Sequence, residues 1–218
     1  MPTNKLCSYC GERLATDREH VFPRNLYPAS KSGSQVQRLT IPSCNKCNNG
    51  WSDDEVHFRN VLALAGEQPN EARHELWNTT IRRSFKEKDD IRRVRDLVEK
   101  LRPVKIDGND RHKVYPGQDD RVMRVVKKII RGLCHHHSIM SAVSEKRVWA
   151  DILKYHIPEE FQSEMTHEHR EKDVAQYRYQ VLREYGIDSA WLITFFQSVT
   201  FVGMVSVSED GSYPERVG

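Results

Sequence analysis

Apolar residues recur at helical spacing most clearly over 119–136. There Val122, Val126, Ile129 and Leu133 fall on one stripe, and Arg121, Arg124, Lys128 and Arg131 on another. The pattern predicts an amphipathic helix with a basic face, either solvated or laid along a phosphate backbone. A second helical run starts at Asp53 and carries Val56, Asn60, Leu62 and Leu64, with Gly66 as its C-terminal stop. Ser52 followed three residues later by Glu55 has the form of a capping box. Residues 71–85 and 90–102 read as two further helices, the second ended by Pro103. The C-terminal third changes character. Val174–Leu182, Ala190–Phe196 and Val199–Val207 are rich in β-branched and aromatic residues. Turn signals lie between them at Tyr185-Gly186-Ile187-Asp188 and at Gln197-Ser198, which predicts three strands of an antiparallel meander.

The first 66 residues behave differently. They are rich in Cys, Asn, Ser and Pro and carry few long periodic segments. The expected fold class is therefore α+β, with a small Cys-rich module over 1–66 and a helical and β-sheet region over 67–218. The helical middle is expected to pack on the C-terminal meander. No internal repeat or low-complexity tract interrupts this order.

The chain of 218 residues is 38% hydrophobic and 30% charged, with a mean hydropathy of −0.71. That suffices for a buried core, and no apolar run approaches the ~20 residues that span a bilayer. The N-terminus has no apolar segment of the secretory kind, so a cytoplasmic location and no membrane partner are expected. Charge is unevenly spread. Residues 1–66 carry +2, residues 67–131 carry +6 and residues 132–218 carry −5. A basic middle beside an acidic end suits a polyanion partner on one side only.

Of the five cysteines, four form two Cys-x-x-Cys pairs, Cys7/Cys10 and Cys44/Cys47, separated by 33 residues. Disulfides are disfavoured in an unexported protein, so the pairs read first as a tetrahedral sulfur cage for structural zinc. A redox dithiol is the competing use, and two copies flanking one short segment favour the metal. The run Cys134-His135-His136-His137 is no such site. Neighbours on a helix point about 100° apart, and histidines at a helix C-terminus suit its dipole. His167 and His169, with Glu168 between them, read as a wet acidic segment.

Between the cysteine pairs lies Glu19-His20-Val21-Phe22-Pro23, and Cys44-Asn45-Lys46-Cys47-Asn48 opens the next helix. In these motifs, over residues 5–60, the chain resembles the HNH nuclease superfamily. It is most similar to the branch in which two Cys-x-x-Cys pairs hold a structural zinc. The resemblance implies a zinc-stapled ββα-metal finger at the N-terminus. It implies that His20 is the general base that activates water, and that Glu19 and Asn48 hold a catalytic Mg²⁺ or Mn²⁺. The residue types suit the chemistry: an imidazole is largely neutral at pH 7, and oxygen donors suit a hard cation. Asn49 and Asp53 stand close enough in sequence to share that cation. The family's central Asn on the second strand is absent; Arg38 and Leu39 stand there, and Asn25 lies on the other side.

The function implied is metal-dependent hydrolysis of DNA phosphodiester bonds, with Arg24 and Arg38 as candidate phosphate contacts. Two rivals remain open: a non-catalytic zinc finger that binds nucleic acid, and a nuclease directed at RNA. A protein partner or a homodimer is compatible with either.

Overall fold

The computed structural model describes residues 5–31, 38–65, 69–84, 91–106, 109–155 and 157–212. In chain order, strands β1 (Asp17–His20) and β2 (Thr40–Ser43) precede helices α1 (Asn45–Asn49) and α2 (Ser52–Ala65). Next come α3 (Glu71–Glu75), a π-helical turn (Leu76–Ile81), α4 (Arg82–Ser84) and α5 (Ile91–Val98). A hairpin of β3 (Leu101–Ile106) and β4 (Asn109–Val114) leads to α6 (Asp120–His136). The chain ends with β5 (Val148–Ile152), α7 (Glu159–Glu164), β6 (Thr166–Arg170), β7 (Ala175–Val181), β8 (Ile187–Phe195) and β9 (Val199–Ser206). The fold is mixed α and β, with a C-terminal antiparallel sheet in the order β5-β9-β8-β7-β6.

The three expected strands are β7, β8 and β9. β5 and β6 extend the sheet at its two edges, and neither carries a pattern that marked it in the sequence. The β8–β9 turn is centred one residue earlier than expected. Phe196 and Gln197 both have positive φ, 48° and 56°, and the Ser198 N–H donates to the Phe195 carbonyl at 3.0 Å. Those dihedrals and that bond have the form of an I′ turn, within a three-residue loop between the paired Phe195 and Val199, and Asn-Gly would adopt it with less strain. Phe196 is fully buried, so packing of its ring offsets the backbone cost.

Two helical expectations are corrected. The helix expected over 90–102 ends at Val98, and Pro103 lies within β3, paired with His112. A residue before proline is pushed to extended backbone, and a two-stranded ribbon tolerates the missing donor. The capping box at Ser52 is also absent. Ser52 lies inside α2 and its hydroxyl donates to the Asn49 carbonyl at 3.0 Å, while the Glu55 carboxylate accepts from Lys128. Gly66, Phe85 and Asp90, the other helix limits read from the sequence, lie outside the described residues.

Helix α6 is the hub of the core. Its apolar stripe Val122, Val126, Ile129 and Leu133 is fully buried, as are Val125 and Ile130. On the sheet side, a Cβ at Gly203 of β9 would lie 2.3 Å from Ile130 Cδ1. A larger residue there would make the end of the Ile130 side chain shift. On the opposite side, Gly132 admits the Tyr9 hydroxyl and Val21, each 3.1 Å from where a Cβ would stand. The inner sheet face and the N-terminal region meet through aromatic rings. Phe58 of α2 packs edge-on against Phe195 with centroids 5.2 Å apart, and Phe22 lies 6.1 Å from the same ring. One contiguous cluster of buried residues includes Cys7 and Val205.

Asp119 starts α6. Its carboxylate accepts from the backbone N–H groups of Arg121 and Val122 and bonds His57 Nε2 at 2.7 Å and Lys100 Nζ. Burial opposes its charge, but the bonds from His57 and Lys100 win and hold it well below the usual carboxylate range.

Candidate metal centre

The N-terminal cysteine pair sits on a tight turn. Gly11 adopts φ +67° and its N–H donates to the Cys7 carbonyl at 2.8 Å, a left-handed conformation that glycine takes without strain. The second pair is set by a helix start: Cys44 is the N-cap of α1 and Cys47 lies within it. The Sγ atoms of Cys7, Cys10, Cys44 and Cys47 lie within 4.8 Å of one another. Among the described residues this is the one group of three or more His, Cys, Asp and Glu side chains that can hold a metal ion.

Four thiolates this close repel one another unless a cation stands between them. Burial, then the Cys44 and Cys7 sulfurs, push the Cys47 thiol up to about 12. Burial also opposes ionisation of Cys44, yet the Cys47 N–H and the Arg13 side chain draw it below the usual thiol value. Arg13 Nε donates to Cys44 Sγ at 3.3 Å, and its second nitrogen lies 3.9 Å from Cys47 Sγ. A closed cage of four sulfurs with donors aimed at it fits zinc in a structural role.

The cage ties the turn that carries Cys7 and Cys10, ahead of β1, to the junction of β2 and α1. β1 and β2 pair antiparallel, with Glu19 opposite Ile41 and His20 opposite Thr40. Alternation along the strand puts Asp17 and Glu19 on one face and Arg18 and His20 on the other. His20 is half-buried at the end of β1, and its Nδ1 has no hydrogen-bond partner among the described residues. Burial, then Arg38, Arg24 and Lys128, hold its pKa below the usual histidine value. Neutral imidazole is therefore the form present at pH 7. Arg38 lies over the Tyr27 ring at 4.3 Å and donates to the Lys31 carbonyl.

Glu19 points into the protein. Its Oε1 accepts from Lys128 Nζ of α6, which also donates to Glu55 Oε1 at 2.5 Å and to the His20 carbonyl at 3.0 Å. The Lys128 side chain is wholly buried. Burial disfavours its charge, but the carboxylates of Glu55 and Glu19 outweigh that and raise its pKa. Burial with too little compensating charge raises Glu19 in turn. Asn48 does not meet Glu19 directly: its Nδ2 donates to Asp17 Oδ2 at 3.0 Å. Asn49 bonds Asn45, and Asn25 Oδ1 is buried with no partner among the described residues.

Comparison with family models, with curated proteins and with solved structures finds no significant match. The chemistry of this chain therefore rests on its own residues.

The solvated basic face expected for α6 holds for only part of the row. Its basic row faces the N-terminal region. Arg121 and Arg124 pair with Asp54 at 2.8 and 2.7 Å, and Arg131 donates to the Val143 and Tyr9 carbonyls at 2.6 and 2.8 Å. Lys128 and Arg131 are buried ties, whereas Arg121 and Arg124 hold Asp54 from positions that stay partly open to solvent. His135 and His136 close the helix, and His137 caps it and bonds Tyr177 at 3.0 Å. Cys134 is buried and pushed up to about 12 by desolvation, which leaves an unreactive thiol. No helix of the described residues is long and apolar enough to cross a membrane.

Sequence reasoning missed Asp17, Glu55, Lys128 and Arg13. Glu55 and Lys128 lie 36 and 109 positions after Glu19 in the chain, and no local pattern links them.

Proposed function

We propose that this chain is a metal-dependent endonuclease of the HNH kind, hydrolysing phosphodiester bonds in DNA. The observation that carries the reading is the contact of α1 with β1, beside a sulfur cage that ties the Cys7–Cys10 turn to the junction of β2 and α1. One side chain of α1, Asn48, meets a β1 acid within three residues of His20. Strand, strand and helix then follow in the order of a ββα-metal finger.

In this reading Cys7, Cys10, Cys44 and Cys47 hold structural zinc and take no part in chemistry, since a closed four-sulfur site has no open position. His20 takes the proton from the attacking water; its lowered pKa keeps it neutral and ready at pH 7. Asn48 with Glu19, or with Asp17 beside it, supplies the oxygen donors for Mg²⁺ or Mn²⁺. Such a cation neutralises charge on the scissile phosphate and the leaving oxygen. Arg24 and Arg38, whose fields reach His20, suit an anionic backbone at the same place.

A second reading has its own observation. Glu19 is already bonded to Lys128 and Asn48 to Asp17, an arrangement that suits a finger that binds nucleic acid without cutting it. Plasmid nicking with Mg²⁺ or Mn²⁺, against EDTA, separates the two. Wild type should cut only with the cation, and His20→Ala should cut roughly 10²–10⁴-fold more slowly with its zinc content unchanged. Binding without cutting, on plasmid, single-stranded DNA and RNA alike, would establish the non-catalytic finger. Cutting of RNA alone would redirect the substrate.

A further inference from the structure

Lys128 is the least accessible charge in the described residues, with a side chain of 0% exposure. An ammonium has three N–H donors and no acceptor, and here each donor has its own oxygen. One is on Glu19 of β1, one on Glu55 of α2 and one on the His20 main chain. Two carboxylate oxygens and a carbonyl converging on a point form a donor set that hard divalent cations take. Lys128 stands at that point. One positive charge among two negative ones leaves the cage one unit negative, directly behind the candidate catalytic strand end.

We propose that Lys128 is a tethered cation that occupies the Glu19–Glu55–His20 carbonyl cage, keeps divalent metal out of it, and so fixes where Glu19 and the His20 main chain stand at the end of β1. The catalytic part of this statement rests on the nuclease reading; the occupancy part does not. Lys128 is a positioning residue, since no path leads from its buried nitrogen to a phosphate. Its charge is anchored by the helix, so the cage is filled whatever the divalent concentration around the protein. A mobile ion in the same place would exchange and would draw Glu19 inward as it bound.

The role has an unusual signature. Removing the ammonium frees two converging carboxylates, so Lys128→Met should bind Mn²⁺ more tightly than wild type. It should also cut DNA more slowly, because the ion and Glu19 then sit in the wrong place. A purely structural role would lower thermal stability and leave metal affinity unchanged or weaker.

The experiment titrates zinc-loaded, folded protein with Mn²⁺, reading the free ion by electron paramagnetic resonance, and compares plasmid cutting and DNA binding. For Lys128→Met we expect roughly tenfold tighter Mn²⁺ binding, cutting slowed roughly 10²-fold and DNA affinity within about twofold of wild type. Equal or weaker Mn²⁺ binding in the folded variant would overturn the occupancy, and full cutting beside tighter Mn²⁺ would overturn the positioning. If Lys128→Met does not fold, Glu55→Gln is compared with Glu55→Gln/Lys128→Met, in which only one carboxylate is left. Mn²⁺ binding should again tighten when the lysine is removed, and equal affinities would sink the proposal. A wild type that cuts nothing defeats the nuclease reading and the positioning with it, while the Mn²⁺ titration still decides the occupancy.

Discussion

Arg13 spans the rim of the thiolate cage, with donors directed at Cys44 and Cys47. A zinc ion with four thiolates carries two net negative charges, and a guanidinium beside it lowers the proton affinity of the sulfurs it touches. Outer partners of this kind commonly change metal affinity by about 10–100-fold. Arg13→Ala should therefore release zinc to a chromogenic chelator roughly tenfold faster than wild type, with the same stoichiometry at the start. An unchanged release rate would mean that the guanidinium only decorates the rim. Lys128 works at the same scale with the opposite sign: it is a cation held by carboxylates where a metal would otherwise fit.

Helix α6 is held at its start by Asp119, which caps the backbone and gathers His57 and Lys100. Because the folded-state pKa lies below the ordinary value of about 3.9, the carboxylate stabilises the fold above that pH. The contribution is lost as pH falls from there toward the depressed folded value. Asp119→Asn keeps a capping oxygen but strands two buried or half-buried partners, at a cost of about 3 kcal/mol at pH 7. Urea unfolding should show the same gap between variant and wild type at pH 7 and pH 5, narrowing below pH 4. A gap that is constant down to pH 3 would show that the charge of Asp119 is immaterial and only its cap matters. The glycine notches at 132 and 203 explain why this one helix can touch the N-terminal region and the sheet at once.

At the scale of the molecule, the buried residues of the N-terminal region belong, among the described residues, to the same cluster as those of α6 and the sheet. Phe22 and Phe58 bury their rings against Phe195, Phe58 also packs on Phe201, and Val21 lies on Gly132. Each such ring contributes about 2–3 kcal/mol when fully buried, and a 1–66 fragment would expose both. That fragment should bind zinc through its cysteines yet show no cooperative thermal transition, whereas the full chain should show one. Sharp, dispersed NMR spectra from the fragment would refute the dependence. The same packing brings Lys128 to Glu19, so the candidate site is completed by a helix well outside the motif-bearing segment.

The sequence by itself determined the cysteine cage, the helix at 120–136 and the three strands β7, β8 and β9, because each is written in local spacing. Two Cys-x-x-Cys pairs, a 3.6-residue period and β-branched runs need no distant partner to be read. It also placed Glu19, His20 and Asn48 together on a motif, although not the bonds each makes. Only the tertiary structure decided which way the basic row of α6 faces. Periodicity shows that Arg121, Arg124, Lys128 and Arg131 share a side; whether that side meets water or carboxylates depends on what folds against it. Asp54, Glu55 and Glu19 do so across 67 to 109 positions of chain. A charge buried by distant partners leaves no local trace, because its environment is a property of the contact and not of the segment.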